Sequence, residues 1–257
     1  MKKLHEMQPD AVIVSQAHLG HTPNLTGDAT PLASTSLASQ MESAFDMVDS
    51  LRASYPKAKL VVAGHSIGGW MSLQAMKAKP TVVDAVFLIT PTISNLATTP
   101  NGRSLTWLFW PISAAVAGLA SPILGVMPFP FFSLCLGSHW PRDQLAVIKS
   151  MLLHPKATVA ALYMARDEMD TVKTLDIATL QAYNDRIYTY YATNDDWVGD
   201  EKPAIIEILG RTERLYEDTS DTPHSFCITD RHSLRVATQC SRWMDMLREH
   251  GAHDQAR

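Results

Sequence analysis

Cysteine is scarce. The 257 residues include three, Cys135, Cys227 and Cys240, irregularly spaced and without a CxxC pair. That pattern excludes a disulfide framework and a cysteine-based zinc site, and it points to a reducing compartment. A basic run is also missing. Lys and Arg number 22 against 26 Asp and Glu, giving a net charge of -4 and a pI near 6.2. Such a balance gives no electrostatic case for nucleic acid. Met1-Lys2-Lys3-Leu4-His5-Glu6 carries basic residues without a following apolar core, and Val12-Ile13-Val14 is too short for a signal peptide.

Formal charge is absent from one long stretch. Residues 104–141 contain no Asp, Glu, Lys or Arg. Within it lie Trp107, Phe109, Trp110, Phe129, Phe131 and Phe132, which are expected to face substrate or lipid. Prolines at 111, 122, 128 and 130 interrupt it. The proline-free pieces, Ile112 to Ser121 among them, fall well short of the ~20 residues a membrane-spanning helix needs. Two broken helices forming a hairpin or cap are expected instead. The cap is either buried over a site or seated on a lipid surface, because a large apolar patch on a protein surface marks an interaction site. The two readings are compatible.

The remaining pattern alternates strands and helices. Asp10 to Ser15 reads as a short buried strand, and Ser36 to Tyr55 as a helix with Leu37, Met41, Ala44, Phe45, Met47, Val48 and Leu51 at helical spacing. Lys59 to Ala63 reads as a strand, followed by a helix to about Lys79 and a strand over Val83 to Ile89. Pro141 to Asp170 reads as helical. A strand over Arg186 to Ala192, a helix over Glu201 to Gly210 and a helix over Ser233 to His250 follow, with Gly251 to Arg257 as a frayed tail. This order predicts an α/β fold with a mostly parallel sheet and helices on both faces.

Between the second strand and its helix stands Gly64-His65-Ser66-Ile67-Gly68, a G-x-S-x-G pentapeptide. A strand, a sharp turn tipped by serine and a helix make a nucleophile elbow. Glycines 64 and 68 are expected to leave room for the tight backbone. A serine hydroxyl is a poor nucleophile at neutral pH and needs a base, which in turn needs an orienting carboxylate. The chain order in α/β-hydrolases is Ser, acid, His. Asp195 follows the Arg186–Ala192 strand, with Asp196 and Asp200 as rivals in the same acidic loop. His224 lies in a loop before the last helix, with His232, His18, His21 and His65 as rivals. His65 is expected to point away from Ser66. The His18-Leu19-Gly20-His21 pair lacks carboxylate or cysteine partners for a metal. The Ile67 N–H is the expected oxyanion donor. The second donor normally comes from an earlier loop, and Asp28-Ala29-Thr30-Pro31 offers no glycine-rich substitute. No cofactor or metal is expected for such acyl transfer.

These residues together resemble the lipid droplet-associated hydrolase family, a branch of the α/β-hydrolases. Ser15-Gln16-Ala17-His18-Leu19-Gly20-His21 is similar to its S-H-x-G-H loop, and Gly64-His65-Ser66-Ile67-Gly68 to its G-H-S-I-G elbow. Pro91-Thr92-Ile93 with Thr99-Pro100-Asn101-Gly102 is similar to its P-T-I…S-P-N-G segment. Asp195-Asp196-Trp197 and Pro223-His224-Ser225-Phe226 are similar to its D-x-W and P-H-x-F loops. The match spans roughly residues 10 to 250. The resemblance implies Ser66 as nucleophile, His224 as base, and Asp195 rather than Asp196 as acid, because the family's acid stands two places before the tryptophan. It also implies ester hydrolysis on lipids at lipid droplets and the endoplasmic reticulum, with an apolar insertion that targets the droplet. The implied organisation is a hydrolase core over 1–102 and 181–257 with a cap over 103–180. The family begins with further strands and a P-G-N-P-G-like loop supplying the second oxyanion donor. This chain opens on what resembles the end of the following helix, so a shortened sequence or a site lacking that half is expected.

Overall fold

Among the described residues, four parallel strands carry the fold, hydrogen-bonded in the order β1-β2-β3-β4. The computed structural model describes residues 1–22, 31–136, 140–200 and 202–255. In chain order, α1 (Lys2–Met7) and α2 (Leu37–Ser54) precede β1 (Val61–His65), α3 (Ile67–Ala78) and β2 (Ala85–Ile89). Next come α4 (Pro100–Leu105), α5 (Pro111–Val126), α6 (Phe129–Leu136), α7 (Arg142–Leu152), α8 (Pro155–Thr171) and α9 (Ile177–Ala182). β3 (Ile187–Tyr191), α10 (Lys202–Leu209), β4 (Leu215–Glu217) and α11 (Asp230–Gln255) follow.

The two-residue period of a strand sorts the core into two layers. Ala85, Phe87 and Ile89 of β2 join Tyr188 and Tyr190 of β3 against Val236, Cys240 and Trp243 of α11. Val86 and Leu88, with Ile187 and Tyr191, face Leu73 and Met76 of α3 and Ile205 and Leu209 of α10. β2 and β3 are buried at every position. That explains why they read as continuous apolar runs, as expected for parallel strands covered on both faces. Trp243 is fully buried, and its indole N–H donates to the Glu213 carbonyl at 3.1 Å.

Local chemistry sets the helix starts. Ser36 Oγ accepts from the Ser39 N–H at 3.2 Å, and the Leu37 N–H donates to Asp167 Oδ2 at 3.0 Å, tying α2 to α8. Proline occupies the first helical position of α4, α5 and α8, where its missing N–H loses nothing. Leu153 and His154 break the Pro141–Asp170 helix into α7 and α8, which meet at a 96° bend.

Several expectations are corrected. Asp10 to Ser15 forms no strand; Val12 is 62% exposed, and no described strand pairs with it. An apolar triplet becomes a strand only through a ladder partner. β4 is too short and too mixed (Leu215-Tyr216-Glu217) to show a strand period. α5 continues through Pro122. Proline cannot bond the Gly118 carbonyl one turn back, but Ser121 Oγ donates to that carbonyl at 2.9 Å and satisfies it. α11 extends to Gln255, beyond the expected end at His250. No single described helix is long and apolar enough to cross a membrane. Residues 28–30, Glu201 and Ala256-Arg257 carry expectations that lie outside the described residues.

Candidate active site

The C-terminal end of each of three parallel strands delivers one polar side chain to a common point. Ser66 follows β1, Asp195 follows β3, and the loop after β4 carries His224. In open parallel sheets, sites form at this edge.

The serine sits on a strained turn. Its φ is 57° and ψ is -123°, a conformation that costs roughly 1–3 kcal/mol for a residue with a side chain. Neighbouring hydrogen bonds hold it there: Ser66 N–H donates to the Ile89 carbonyl at 3.1 Å, and the Ser66 carbonyl accepts from Gly69 at 2.9 Å and Thr92 at 3.2 Å. A Cβ on Gly64 would lie 1.9 Å from the Gly68 oxygen, and one on Gly69 would lie 2.8 Å from Pro91 Cβ. At Gly68 a Cβ meets nothing within 4 Å. The steric demand therefore falls on Gly64 and Gly69, and the expectation for Gly68 is overturned.

His224 stands between the other two groups. Its Nε2 is 2.9 Å from Ser66 Oγ, and its Nδ1 is 2.8 Å from Asp195 Oδ2. The Asp195 side chain is 4% exposed and that of His224 12%. Asp195 Oδ1 accepts from the Trp197 N–H at 3.0 Å. Its rivals Asp196 and Asp200 are exposed. In this arrangement a hydroxyl can pass its proton to His224 as it attacks, while the carboxylate fixes the imidazole tautomer. Ile67 opens α3, so its N–H has no acceptor within the helix and lies where the helix dipole favours negative charge.

The rival histidines lie elsewhere. His232 is in the first turn of α11, with Nδ1 2.8 Å from Thr229 Oγ1. His65 turns from Ser66, and its Nε2 is 2.9 Å from the His224 carbonyl. Burial, and then the neighbouring His224, pushes the His65 imidazole down to about 4. His18 and His21 pack edge to face at 5.4 Å, and burial lowers both. Among the described residues no three His, Cys, Asp or Glu side chains gather in a metal-holding group.

Asp218 supports the base loop, a role that sequence reasoning missed. It accepts from Tyr190 OH and from the Ser220 N–H, the latter at 2.7 Å. Burial raises its carboxyl, but hydrogen bonds from Ser220, Thr222 and Tyr190 outweigh that and hold it well below the usual range. Nothing in the sequence distinguishes Asp218 from Asp221, which is exposed and paired with Arg235 at 2.7 Å.

An apolar cluster borders the site. Ile67, Trp70 and Trp197 pack against Met41, Met71, Leu96, Phe109 and Met164. On the outer side of the 104–141 segment, Trp107, Trp110 and Phe131 are exposed beside Ile112, Leu119 and Leu134. Phe129 is half-buried, with Arg142 and Lys149 over its ring at 5.0 and 5.2 Å. Phe109 and Phe132 are buried, at 9% and 4% exposure. Phe109 turns inward into the apolar cluster and Phe132 packs beneath Lys149. Neither can meet a lipid surface in this conformation, which corrects half of the expectation for them.

The chain is similar to several known proteins. A lipid droplet-associated hydrolase from Homo sapiens is 31% identical over 155 residues, covering 59% of this chain and 48% of that protein. One from Drosophila melanogaster is 26% identical over 215 residues, covering 75% and 63%. The chain thus spans about half to three fifths of the length of these relatives. A peroxisomal α/β-hydrolase from Saccharomyces cerevisiae superposes with a TM-score of 0.57 at 12% identity, covering 96% of this chain and 74% of its own. A putative lipase from Acinetobacter baumannii gives 0.54 at 14%, covering 88% and 71%. At such identities these structures speak for the α/β-hydrolase fold alone. The sequence profile of the family described as lipid-droplet associated hydrolase matches residues 1–227, and the chain belongs to that family.

Proposed function

We propose that this chain is a serine hydrolase that cleaves lipid esters at lipid droplets. The observation that carries the reading is the hydrogen-bonded chain Ser66–His224–Asp195, with both links under 3 Å. Ser66 Oγ attacks the ester carbonyl carbon while His224 Nε2 takes its proton. The Ile67 N–H stabilises the developing oxyanion. The tetrahedral intermediate collapses, the alkoxide leaves, and His224 returns the proton to it as the alcohol. Water, deprotonated by the same imidazole, then attacks the acyl-serine and releases the carboxylic acid.

The substrate class follows from the surroundings. Ile67, Trp70 and Trp197 pack on an apolar cluster rich in methionine, whose flexible side chains can re-pack around acyl chains. The exposed apolar side of α5 and α6 fits the surface of a droplet or of the endoplasmic reticulum on its cytosolic side. Residues 103–180 act as the cap. We give nucleic acid no role.

A second reading is a droplet-binding scaffold with little turnover. Among the described residues the elbow supplies Ile67 as an oxyanion donor, and no glycine-rich loop is identified as a second. Loss of one such donor lowers kcat by about 10²–10³. Labelling by a fluorophosphonate separates the two readings. The hydrolase reading expects wild type to label and Ser66→Ala not to; equal labelling sinks it.

A further inference from the structure

The residue before the nucleophile is joined to the base by a bond of its own. His65 Nε2 lies 2.9 Å from the backbone carbonyl of His224. A carbonyl oxygen can only accept, so Nε2 carries the proton and His65 is the donor. The ring is held from two further sides. It packs edge to face on Phe226 at 4.9 Å and tilts against the His224 ring at 5.1 Å.

We propose that His65 is a positioning residue: its N–H anchors the backbone of His224, so that nucleophile and base move as one unit. The inference rests on the hydrolase reading. During turnover the His224 side chain must serve first Ser66 and then the leaving oxygen, a motion of its ring. Its backbone needs a fixed pivot, and the other ties of the β4–α11 loop fall on either side of His224: the Asp218 N–H donates to the Tyr191 carbonyl, Arg235 donates to Ser220 and Asp221, and Ser233 Oγ donates to the Phe226 carbonyl. The pivot comes from β1, the strand that leads into Ser66. One backbone step therefore separates the anchor of the base from the nucleophile, and drift of the loop cannot open the Ser66–His224 gap without breaking this bond. An uncharged His65 also adds no repulsion when His224 becomes an imidazolium.

The test uses three variants of the full chain. His65→Phe keeps a ring and deletes the donor. His65→Gln keeps an N–H donor and loses the ring; His65→Ala removes both. Two readouts are taken: the second-order rate of fluorophosphonate labelling, and the low-field proton resonance of the His224 Nδ1–H shared with Asp195. Expected is a loss of about 10–100-fold in labelling for His65→Phe and His65→Ala, the penalty of a small misplacement, with a broadened or missing resonance. His65→Gln recovers most of both. The proposal is overturned if His65→Phe labels like wild type with an unchanged resonance, or if His65→Gln fails as badly as His65→Ala. If wild type labels no better than Ser66→Ala, the hydrolase reading falls, and the resonance by itself decides whether His65 positions His224.

Discussion

Trp197 donates its backbone N–H to Asp195 Oδ1 at 3.0 Å, leaving the other oxygen of that carboxylate for His224 Nδ1. The tryptophan two places on thus closes a local turn that aims the acid, and its ring stands 6.1 Å from that of His224. Asp196, between them, points its side chain to solvent and uses its carbonyl to accept from the Asn101 N–H at 3.1 Å. Asp195→Asn is expected to lower kcat on a water-soluble ester by about 10³–10⁴, because an amide stabilises the wrong imidazole tautomer. Asp196→Asn is expected to stay within a factor of about two, as surface substitutions do. Comparable losses in both variants would count against Asp195 as the acid.

The elbow makes a prediction about folding. Alanine at position 64 would place its Cβ 1.9 Å from the Gly68 carbonyl oxygen, a backbone atom that cannot swing away. Gly64→Ala is expected to lose more than about 4 kcal/mol or fail to fold. Gly68→Ala has open space and sits in the first turn of α3. It is expected to fold normally, with a melting temperature at or above wild type, since alanine is favoured over glycine in a helix by up to ~1 kcal/mol. Thermal melts of the two variants decide the matter.

What could be read in the sequence was what local chemistry writes there. The elbow pentapeptide, the buried strands β2 and β3, and the helix of Leu37–Ser54 carry their own signals in spacing and apolarity. What escaped depends on partners far along the chain. Val12-Ile13-Val14 has the composition of a strand but no described ladder to join. Pro122 has the composition of a break but is rescued by the Ser121 hydroxyl. Asp218 shares its short polar loop with Asp221, and the Tyr190 hydroxyl that sets it apart lies 28 positions away. Which aromatic residues of the cap face outward was equally hidden. Phe109 and Phe132 are buried while Trp110 and Phe131 beside them are exposed, a sidedness set by packing partners and not by residue type.

That sidedness gives the third prediction. Leu119 is 81% exposed on α5, so Leu119→Asp leaves the core untouched while placing a charge where lipid contact is proposed. Leu119→Asp, alone or with Trp110→Asp, is expected to reduce co-flotation with phospholipid-coated triacylglycerol droplets several-fold. Fluorophosphonate labelling in buffer should hold. Phe109→Asp, by contrast, buries a charge in the apolar cluster and should unfold the cap. Undiminished flotation of the double variant would remove this face from the binding role.

Glu168 makes stability depend on pH in an unusual direction. It lies on α8 one turn from Met164 and one turn from Val172, both buried in the apolar cluster beneath the cap. Burial, and then the neighbouring Asp167, raises its carboxyl from the ordinary 4.5 to about 8. Between those two values the folded chain holds a proton that the unfolded chain releases. Stability therefore falls as pH rises through this window, the opposite of a carboxylate whose pKa is depressed by a salt bridge. Below about pH 4.5 both states are protonated and the penalty vanishes. Glu168→Gln keeps the shape of the protonated side chain and cannot ionise. At pH 5 its melting temperature should match wild type; at pH 8 it should exceed wild type by several degrees, since ~1 kcal/mol moves the midpoint of a chain this size by about 2–4 °C. Melting curves at intervals from pH 5 to pH 8 supply the check. Parallel lines for the two proteins would mean that Glu168 ionises normally in the folded state.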